Sequence, residues 1–412
     1  MAVELMTGAR SDSTGGLWDH EIGAMFCHPM RFIHTSDWHL GKRLLGHSLI
    51  DDQAHALTEL ERLCVSEEVH ALVIAGDVFD RAVPPVEAVE LLDDFLERMA
   101  LRTKIPVVMI SGNHDGPERL GFAGRLLQSS GITVRTRLRD RTEPWVLEQG
   151  GETTLFYGLP YLEPEAVRTE LDDDTVDGHE AAVRAALVAI RADARGRQSD
   201  QTVLVAHLFC AGGEPSPESE RPLAAGGAVH VPADALKGFS YVALGHLHRP
   251  QKIWDRIRYA GSLLKYSIEE HAQDKSVNLV ELTGRKLRVQ PILISPKRNV
   301  VLLEAPFDAL LHDKGFDGHA YDYVAAYYTD TTYVYQASEL LRGRFPYLLQ
   351  ALPSRLRDVQ AQDPDTQLAA RPDAPRELLK AFWSFVDAPS DLEPAHFDAF
   401  ERALAIAHRQ SR

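Results

Sequence analysis

The chain has 412 residues, of which 44% are hydrophobic and 25% charged, and its formal net charge at pH 7 is −16. This length predicts two or three domains rather than a single core. No apolar run approaches the ~20 residues that a membrane-spanning helix needs, so the composition favours a soluble protein. The acidic charge is unlike the basic surface that is typical of nucleic-acid-binding proteins.

Residues 1–29 have neither the basic start nor the apolar stretch of a secretory signal. We expect them to form a disordered extension, with Met30 as an alternative start because it opens the first strand-like run. Cys27, Cys64 and Cys210 are too few and too scattered for a disulfide framework or a thiolate metal site. A reducing cytoplasm fits this cysteine usage best.

From residue 30 to about residue 295, short apolar runs alternate with longer amphipathic stretches, which predicts a layered α/β domain. Residues 51–65 and 84–101 carry helical spacing, and the second stretch begins at the Pro84-Pro85 pair. Residues 210–228 are rich in Gly, Pro, Ser and Glu and predict a mobile loop. The runs that we predict to be buried strands are residues 32–33, 71–75, 107–110, 203–206 and 241–244.

A second unit is predicted to start near Pro296. Strand-like runs at 300–303 and 323–328, and a helical pattern at 337–352 with a break before Pro346, indicate a small α+β domain over residues 296–360. Residues 361–375 are punctuated by Pro and Asp and predict a linker. Residues 376–412 then carry two short helical stripes. The stripes are Leu378, Leu379, Phe382, Phe385 and Val386, followed by Phe397, Phe400 and Leu404.

Polar clusters follow the predicted strands of the first domain. In open α/β sheets, ligands bind at the carboxyl ends of strands, so these clusters can meet in one crevice. Asp, Asn and His without Cys suit divalent ions such as manganese, iron or zinc. An Asp can bridge two ions ~3.5–4 Å apart, and Asp77 is the natural bridge. The clusters contain Asp37, His39, Asp77, Asn113, His114, Asp115, His207, His246 and His248.

Individual residues in these clusters have separate predicted roles. The glycines at 76, 112 and 245 are predicted to let the backbone turn sharply off each strand. His114 is predicted to donate a proton to the leaving group, with Asp115 orienting its ring. For His207, an alternative to metal binding stays open, because a single His after an apolar run is more often a packed residue at the end of a strand.

The order D-x-H, G-D, G-N-H-D and G-H-x-H resembles the signature of the calcineurin-like metallophosphoesterases. More narrowly, H-T-S-D-W-H-L-G at 34–41, A-G-D-V-F-D at 75–80, S-G-N-H-D at 111–115 and A-L-G-H-L-H at 243–248 resemble the bacterial SbcD family, the nuclease subunits of SbcCD complexes. The resemblance covers residues 30–295 well and the rest loosely. The extension at 1–29 has no counterpart in it.

The resemblance implies an α/β fold, a four-layer α/β/β/α sandwich over residues 30–295. After the sandwich, the resemblance implies a capping domain at 296–360, the linker at 361–375 and a helix-loop-helix at 376–412 that binds an ATPase partner. In the alternative reading, the apolar stripes of this tail pack on their own domain.

The resemblance also implies a ligand set and an activity. The first metal is held by Asp37, His39, Asp77 and His248, the second by Asp77, Asn113, His207 and His246, and His114 is the catalytic histidine. The implied activity is a manganese-dependent DNA nuclease, a double-strand 3'-5' exonuclease and a single-strand and hairpin endonuclease. It implies a cytoplasmic, nucleoid-associated homodimer within a heterotetramer with an SbcC-like ATPase of the SMC family.

Two other functions stay open. A phosphatase or phosphodiesterase of the same fold would act on protein or small molecules, and the fold alone does not exclude it. A non-catalytic scaffold would be marked by lost ligands, and every ligand position is kept. The second domain and the tail helices favour the nuclease. As a hypothesis for the acidic charge, carboxylates repel phosphate until metals bind, and DNA-binding surface comes from the dimer mate or the ATPase.

Overall fold

The computed structural model describes residues 29–199, 201–215, 230–357, 379 and 393–410. The predictions for residues 1–28, for most of the loop at 210–228, for the linker at 361–375 and for nearly all of the first tail helix lie outside these ranges. The chain divides into two compact units between Val301 and Leu302. Within the described ranges, every helix is too short or too polar to cross a bilayer.

The described residues of the first unit form fourteen strands and six α-helices. The strands are β1 (Met30–Thr35), β2 (Arg43–Leu44), β3 (His47–Ser48), β4 (Ala71–Ile74), β5 (Val107–Ile110), β6 (Ile132–Arg135), β7 (Trp145–Gln149), β8 (Glu152–Leu159), β9 (Gln201–His207), β10 (Tyr241–Gly245), β11 (Gln251–Trp254), β12 (Ile257–Tyr259), β13 (Ser276–Thr283) and β14 (Lys286–Leu293). The helices are α1 (Ile50–Ser66), α2 (Val86–Glu97), α3 (Pro117–Leu120), α4 (Gly124–Leu127), α5 (Pro164–Leu171) and α6 (His179–Gly196). The five predicted buried strands and both predicted helices are confirmed.

Two six-stranded sheets form this unit, in the orders β14-β13-β1-β4-β5-β6 and β11-β12-β10-β9-β8-β7. Strands β1, β4, β5 and β6 are parallel neighbours in the first sheet. Strands β8, β9, β10 and β12 are parallel neighbours in the second. Because parallel neighbours end at the same edge, each sheet gathers the residues that follow its strands.

The two sheets share one apolar core. Phe32, Val73 and Ile110 from the first sheet pack with Phe156 and Tyr241 from the second. The ring centroids of Phe32 and Phe156 lie 5.3 Å apart, edge to face. Fully burying one such side chain contributes about 1.5–3 kcal/mol, so this layer holds the sheets face to face.

Helices cover the outer faces of both sheets. On the second sheet, α6 buries Val183, Leu187 and Ile190 in a core shared with β8, β9 and β10. On the first sheet, α1 and α2 bury their apolar faces, and Trp38 packs edge-on against Phe95 with ring centroids 5.3 Å apart. The predicted four-layer α/β/β/α sandwich is confirmed.

The alternation of Arg135, Arg137 and Arg139 in the sequence is typical of a strand with three cations on one face, but the segment after β6 is not a regular strand. The strand ends at Arg135, and Arg139 lies in a 3-10 helix at Leu138–Thr142. The three arginines therefore do not share one strand face. The parallel pairing with β5 stops at Arg135, so the chain is free to turn.

The second unit, as far as it is described, consists of a three-stranded sheet and three α-helices. The strands are β15 (Val300–Ala305), β16 (Tyr323–Tyr328) and β17 (Leu348–Pro353), and the helices are α7 (Phe307–His312), α8 (Ala337–Arg342) and α9 (Pro394–Gln410). The helical prediction for 337–352 is wrong at its end, because 348–352 belongs to β17. Ala351 pairs with Ala326 of the buried strand β16, and this pairing outweighs local helix propensity. The predicted second tail helix is confirmed as α9.

Candidate metal centre

The predicted site residues lie at the strand ends of both sheets. Asp37 and His39 follow β1, Asp77 follows β4, Asn113 and His114 follow β5, His207 ends β9, and His246 and His248 follow β10. The backbone N–H of His39 donates to the carbonyl of Asp77 at 3.0 Å. The backbone N–H of His246 donates to the Asp37 carboxylate at 3.0 Å. The second of these bonds joins the two sheets at the site.

Several of these residues adopt strained backbone conformations. The φ angles of Asp37, His39 and Asp77 are 53°, 44° and 49°, and that of His246 is 110°. A non-glycine residue in this region costs of order 1–3 kcal/mol and persists only where the surroundings enforce it. Such strain clusters at functional sites, and the sequence pattern gives no sign of it.

The three glycines serve the site in two different ways. Gly76 has a φ of +90°, so it does make the predicted sharp turn. Gly112 and Gly245 instead provide space. A Cβ atom on Gly112 would lie 2.2 Å from Oδ1 of Asp77, and one on Gly245 would lie 2.0 Å from the carbonyl oxygen of Ala75. At these two positions close approach, rather than a turn, requires glycine.

The structure brings the first predicted ligand group together. One ligand atom each of Asp37, His39 and His248 lies within 4.8 Å of the others. The Nε2 atoms of His39 and His248 are 3.1 Å apart, and Nε2 of His39 is 3.7 Å from Oδ2 of Asp77. The fourth predicted ligand of the first metal is therefore in reach as well.

The second predicted group is equally close. Oδ2 of Asp77 lies 3.4 Å from Nε2 of His207. Oδ1 of Asn113 lies 3.0 Å from both Nε2 of His207 and Nδ1 of His246. All seven predicted ligands thus form one cluster. Asp37, His39 and Asp77 each belong to two of the three-residue groups that fit a single ion, and one group includes His114.

The donor set fits divalent cations. The Asp37 and Asp77 carboxylates are almost completely buried, and Nδ1 of His39 is buried without a hydrogen-bond partner. Burial holds the pKa of His39 well below its usual value and lowers that of His246 to about 3. These rings are therefore neutral, and the neutral imidazole is the form that binds a metal ion. Oxygen and imidazole donors without thiolate suit manganese, iron or zinc.

A proton on His207 is stabilised by the neighbouring carboxylates. Burial alone would raise the pKa of Asp77, but the charge and hydrogen bond of His207 hold it well below its usual value. Burial alone would lower the pKa of His207, but Asp77 and Asp37 raise it to about 9. The proton thus neutralises buried carboxylate charge. A cation between the same atoms would replace it.

His114 and Asp115 have different contacts from those predicted. Nδ1 of His114 lies 2.9 Å from the carbonyl oxygen of Asp80, so this carbonyl, rather than Asp115, orients the ring. The Asp115 carboxylate accepts backbone N–H bonds from Val78, Phe79 and Gly112 at 3.1, 2.8 and 2.9 Å. Burial raises the pKa of Asp115 to about 7. Asp115 therefore fixes the two loops that carry Asp77 and Asn113.

Glu270 is a site residue that the sequence pattern did not reveal. It is fully buried, and its Oε1 lies 3.2 Å from Nδ1 of His248. Its Oε2 lies 2.7 Å from Nζ of the buried Lys275. Burial opposes ionisation, yet His248 and Lys275 together lower the pKa of Glu270 to about 2. Glu270 thus holds the His248 ring with Nε2 free to bind a metal ion.

The geometry of His114 leaves its outer nitrogen available. Its ring centroid lies 4.7 Å from that of His39, and its backbone N–H donates to Oδ1 of Asp77 at 2.8 Å. Because a carbonyl oxygen only accepts, Nδ1 of His114 carries the hydrogen in the bond to Asp80. The other nitrogen, Nε2, is the atom that can exchange a proton with a substrate.

Comparison with known proteins agrees with this geometry. The family model of the calcineurin-like phosphoesterases matches residues 30–250. The SbcD subunit of the nuclease SbcCD of Staphylococcus epidermidis is 32% identical over 287 residues, which cover 69% of this chain and 75% of the relative. The match thus spans most of both chains.

Two solved structures are similar at low sequence identity. GAP50, the anchor in the inner membrane complex of Plasmodium, aligns with a TM-score of 0.41 and 13% identity, covering 66% of this chain and 87% of its own. The calcineurin-like phosphoesterase YfkN from Bacillus subtilis aligns with a TM-score of 0.35 and 11% identity, covering 65% and 90%. At these TM-scores neither alignment bears on function. On its sequence match and the strand-end cluster of Asp, Asn and His, the chain belongs to the calcineurin-like phosphoesterase family and is a hydrolase of phosphoester bonds.

Proposed function

We propose that the chain is a metal-dependent DNA nuclease that hydrolyses phosphodiesters with two divalent metal ions, with Mn²⁺ as the expected metal. The proposed activities are double-strand 3'-5' exonuclease and single-strand and hairpin endonuclease, in DNA end processing, repair and recombination. The observation that carries the proposal is the single cluster formed by the seven ligands from both sheets. The similarity to a nuclease subunit directs it towards DNA.

The proposed division of the ligands between the two ions is the one that the family resemblance implies. Asp37, His39, Asp77 and His248 hold the first ion, and Asp77, Asn113, His207 and His246 hold the second. When bound, two such ions draw charge from the phosphoryl oxygens and provide a strong nucleophile at neutral pH. The short distances from Asp77 to His39 and His207 support its role as the bridge.

His114 supplies the proton in this proposal. The Asp80 carbonyl accepts the hydrogen on Nδ1 of His114, so a protonated ring has its second hydrogen, on Nε2, for donation to the substrate. This atom donates to the leaving oxygen as the P–O bond breaks. Asp115 contributes indirectly, because its three backbone contacts hold the loops of Asp77 and Asn113 in place.

The proposed assembly rests on the same family similarity. An SbcC-like ATPase would bind the C-terminal helix-loop-helix, within a heterotetramer built on a homodimer of this chain in the cytoplasm. Of the tail, α9 is described, and its Phe397 and Phe400 are partly buried. The alternative, in which the tail packs only on its own domain, predicts no loss of ATPase binding when residues 376–412 are deleted.

The substrate class can be tested directly. The purified chain with Mn²⁺ would be given labelled hairpin DNA, linear duplex DNA, bis-p-nitrophenyl phosphate and p-nitrophenyl phosphate in parallel. We expect cleavage of DNA and of the diester. Turnover of the monoester alone would support the phosphatase alternative and overturn the nuclease proposal.

The scaffold alternative predicts no turnover that depends on His114. We expect His114→Leu to lower DNA cleavage by about 10²–10⁴-fold, the usual contribution of a positioned general acid, while metal binding is retained. The matched control is His55→Leu, because His55 lies exposed on α1. Equal activity of both variants would remove His114 from the chemistry.

A further inference from the structure

We propose that a groove lined by arginines, beside the candidate metal centre, binds phosphates of the nucleic-acid backbone next to the phosphate that is cut. This inference rests on the proposed nuclease function and names a second contact region for its substrate. The arginine groove is an open cavity of about 950 Å³. It is lined by Glu118, Arg137, Arg139, Arg141, Thr142, Glu170 and Leu171.

The position of the groove follows from strand register. Strand β6 is the parallel neighbour of β5, and Arg135 pairs with Ile110 at their carboxyl ends. His114 follows β5, and Arg137 follows β6. Adjacent strands are ~4.8 Å apart, so the arginine segment begins one strand further along the same sheet edge. A polynucleotide held at the metal ligands therefore meets the arginines next along this edge.

The guanidinium groups of the groove are available to an anion. Arg137 and Arg139 are exposed, and Arg137 forms no ion pair within the described part of the chain. Nε of Arg139 lies 3.9 Å from Oδ1 of Asp140, a weak contact. Arg141 is anchored by a 3.1 Å bond to the carbonyl of Leu138, and its Nε is buried without a hydrogen-bond partner. A guanidinium group can donate two parallel hydrogen bonds to two oxygens of one phosphate.

The basic character continues beyond the groove. An adjoining cavity of about 320 Å³ shares Arg137 and Arg139 and adds Arg125 and Arg135 to its lining, together with the carboxylates of Asp140 and Glu143. The two cavities together are thus lined by five arginines and four carboxylates, a local excess of positive charge on a chain whose net charge is −16. A local concentration of cations on an acidic protein marks the surface where a polyanion can approach.

Carboxylates in the same lining limit the affinity. Glu118 and Glu170 face the arginine groove, so three guanidinium groups oppose two carboxylates there. Binding should therefore be modest, independent of base sequence and sensitive to salt, as expected when a protein contacts only the backbone. Removing one of these carboxylates should strengthen binding, whereas removing arginines should weaken it.

The other end of the same strands, at the amino end of β5 and the start of β1, offers a matched control. Arg102 is exposed and precedes β5, so it lies at the amino end of that strand. Arg285 is exposed in the turn between β13 and β14, beside the start of β1. The double variant Arg102→Ala with Arg285→Ala removes the same charge as Arg137→Ala with Arg139→Ala, but far from the proposed DNA path.

The experiment measures binding of a labelled DNA duplex to the full chain with Mn²⁺ over about 50–200 mM salt, where phosphate contacts make binding salt-dependent. All proteins carry His114→Leu to prevent cleavage. We expect the groove double variant to bind about 10-fold more weakly and to lower the salt slope by about 1–2. The control double variant should match the parent, Arg137→Lys with Arg139→Lys should restore part of the affinity, and Glu170→Gln should bind more tightly.

Two different failures can be told apart. If the parent binds and the active chain cuts DNA, but the groove and control double variants bind equally, the arginine groove is not a contact and only this inference fails. If the active chain turns over bis-p-nitrophenyl phosphate yet neither binds nor cuts DNA, the proposed nuclease function fails as well. Thermal unfolding of each variant identifies any loss that comes from misfolding.

Discussion

Glu270 shows how one buried residue controls a candidate metal ligand. Its carboxylate lies between Nδ1 of His248 and Nζ of Lys275, with no exposure to solvent. Lys275 also donates to the carbonyl of His248 at 2.9 Å, so both ends of that residue are held. A histidine is a stronger and better oriented metal ligand when the ring nitrogen that does not bind the metal is hydrogen-bonded to a carboxylate.

We expect Glu270→Gln to weaken metal affinity by about 10–100-fold, the usual effect of losing such a support. Because Glu270→Gln alone would leave the Lys275 charge buried and unpaired, the informative variant is Glu270→Gln with Lys275→Met, which restores neutrality. Calorimetric titration with Mn²⁺ measures the affinity. Lys275→Met alone keeps the carboxylate on His248 but leaves its charge buried without a cation, so thermal unfolding of each metal-free variant must show that it is folded. If the double variant binds Mn²⁺ like the wild type, Glu270 has only a packing role.

At the residue scale, the seven candidate ligands were predictable because each follows a recognisable strand and is a metal-binding residue type. The groups that hold these ligands in place were not predictable. A backbone carbonyl, such as that of Asp80 facing His114, has no signature in a sequence. Glu270 lies in a short 3-10 helix at Ile268–Ala272, far along the chain from His248, and only the fold brings it there. Long-range contacts are invisible to local patterns.

Strand β10 and the loop after β4 approach each other closely at Gly245. The carbonyl oxygen of Ala75 would lie 2.0 Å from an added Cβ, and it also accepts the Nδ1 hydrogen of His207 at 2.8 Å. We expect Gly245→Ala to lower the free energy of unfolding by about 3 kcal/mol, the upper end of the usual cost of overpacking, because the clash is with backbone and not with a flexible side chain.

Gly196→Ala is the control for this substitution. Gly196 lies at the end of α6, with no atom within 4 Å of an added Cβ. Alanine there should be neutral or stabilise by up to about 1 kcal/mol. Urea unfolding of both variants gives the comparison. A stable Gly245→Ala protein with unchanged metal affinity would show that β10 and the loop after β4 can move apart without harm to the site.

His34 connects the two sheets and makes their packing sensitive to acid. It lies on β1, and its ring nitrogens contact Tyr241 Oη at 3.0 Å and the carbonyl of Leu244 at 3.2 Å, both on β10. Burial lowers the pKa of His34 from its ordinary value of 6.5 to about 3. Between these two pH values the unfolded chain binds a proton that the folded chain does not. Stability from His34 is therefore full above pH 6.5 and is lost as the pH falls towards 3.

The corresponding test compares the wild type with His34→Phe. The variant loses two hydrogen bonds at every pH but has no group to titrate. We expect the stability difference between the two proteins to be constant above neutral pH and to shrink in acid by up to about 1.4 kcal/mol per pH unit. Urea unfolding between pH 7.5 and pH 5, without added metal, measures it. A difference that stays constant over this range would mean that the pKa of His34 is the same in the folded and the unfolded chain.

At the element scale, the buried strands were predictable because they are short apolar runs followed by glycine or polar residues. The strand β17 was not, because Leu348–Pro353 carries residues that suit a helix and becomes a strand only by pairing with β16. Likewise, the arginines after β6 alternate as in a strand, although the pairing with β5 ends at Arg135. Pairing partners, rather than local propensity, decide such segments.

At the scale of the whole molecule, the candidate metal centre lies where the two sheets meet. Its ligands come from β1, β4 and β5 of one sheet and from β9 and β10 of the other. The bond from the His246 backbone to the Asp37 carboxylate already joins the sheets. Ions shared among these ligands would add further connections and neutralise two buried carboxylates. We therefore expect metal binding and sheet packing to be coupled.

We expect divalent metal to stabilise the first unit markedly. At a concentration about 100 times the dissociation constant, each site adds about 2.7 kcal/mol, provided that the unfolded chain does not bind. Calorimetry of the EDTA-treated chain with Mn²⁺, Zn²⁺, Mg²⁺ or Ca²⁺ would measure the shift in Tm. Imidazole suits Zn²⁺, whereas Mg²⁺ and Ca²⁺ prefer all-oxygen sites, so the first two ions should give the larger shifts.

The variant Asp77→Asn separates this effect from nonspecific binding of cations to an acidic surface. Asp77 approaches ligands of both predicted ions, so removing its charge should abolish most of the stabilisation by Mn²⁺. Asp308→Asn removes an equal charge from an exposed position in the second unit and should leave the shift unchanged. If both variants kept the full shift, the ions would be acting on the general acidity of the chain, and the cluster at the strand ends would not be the metal centre.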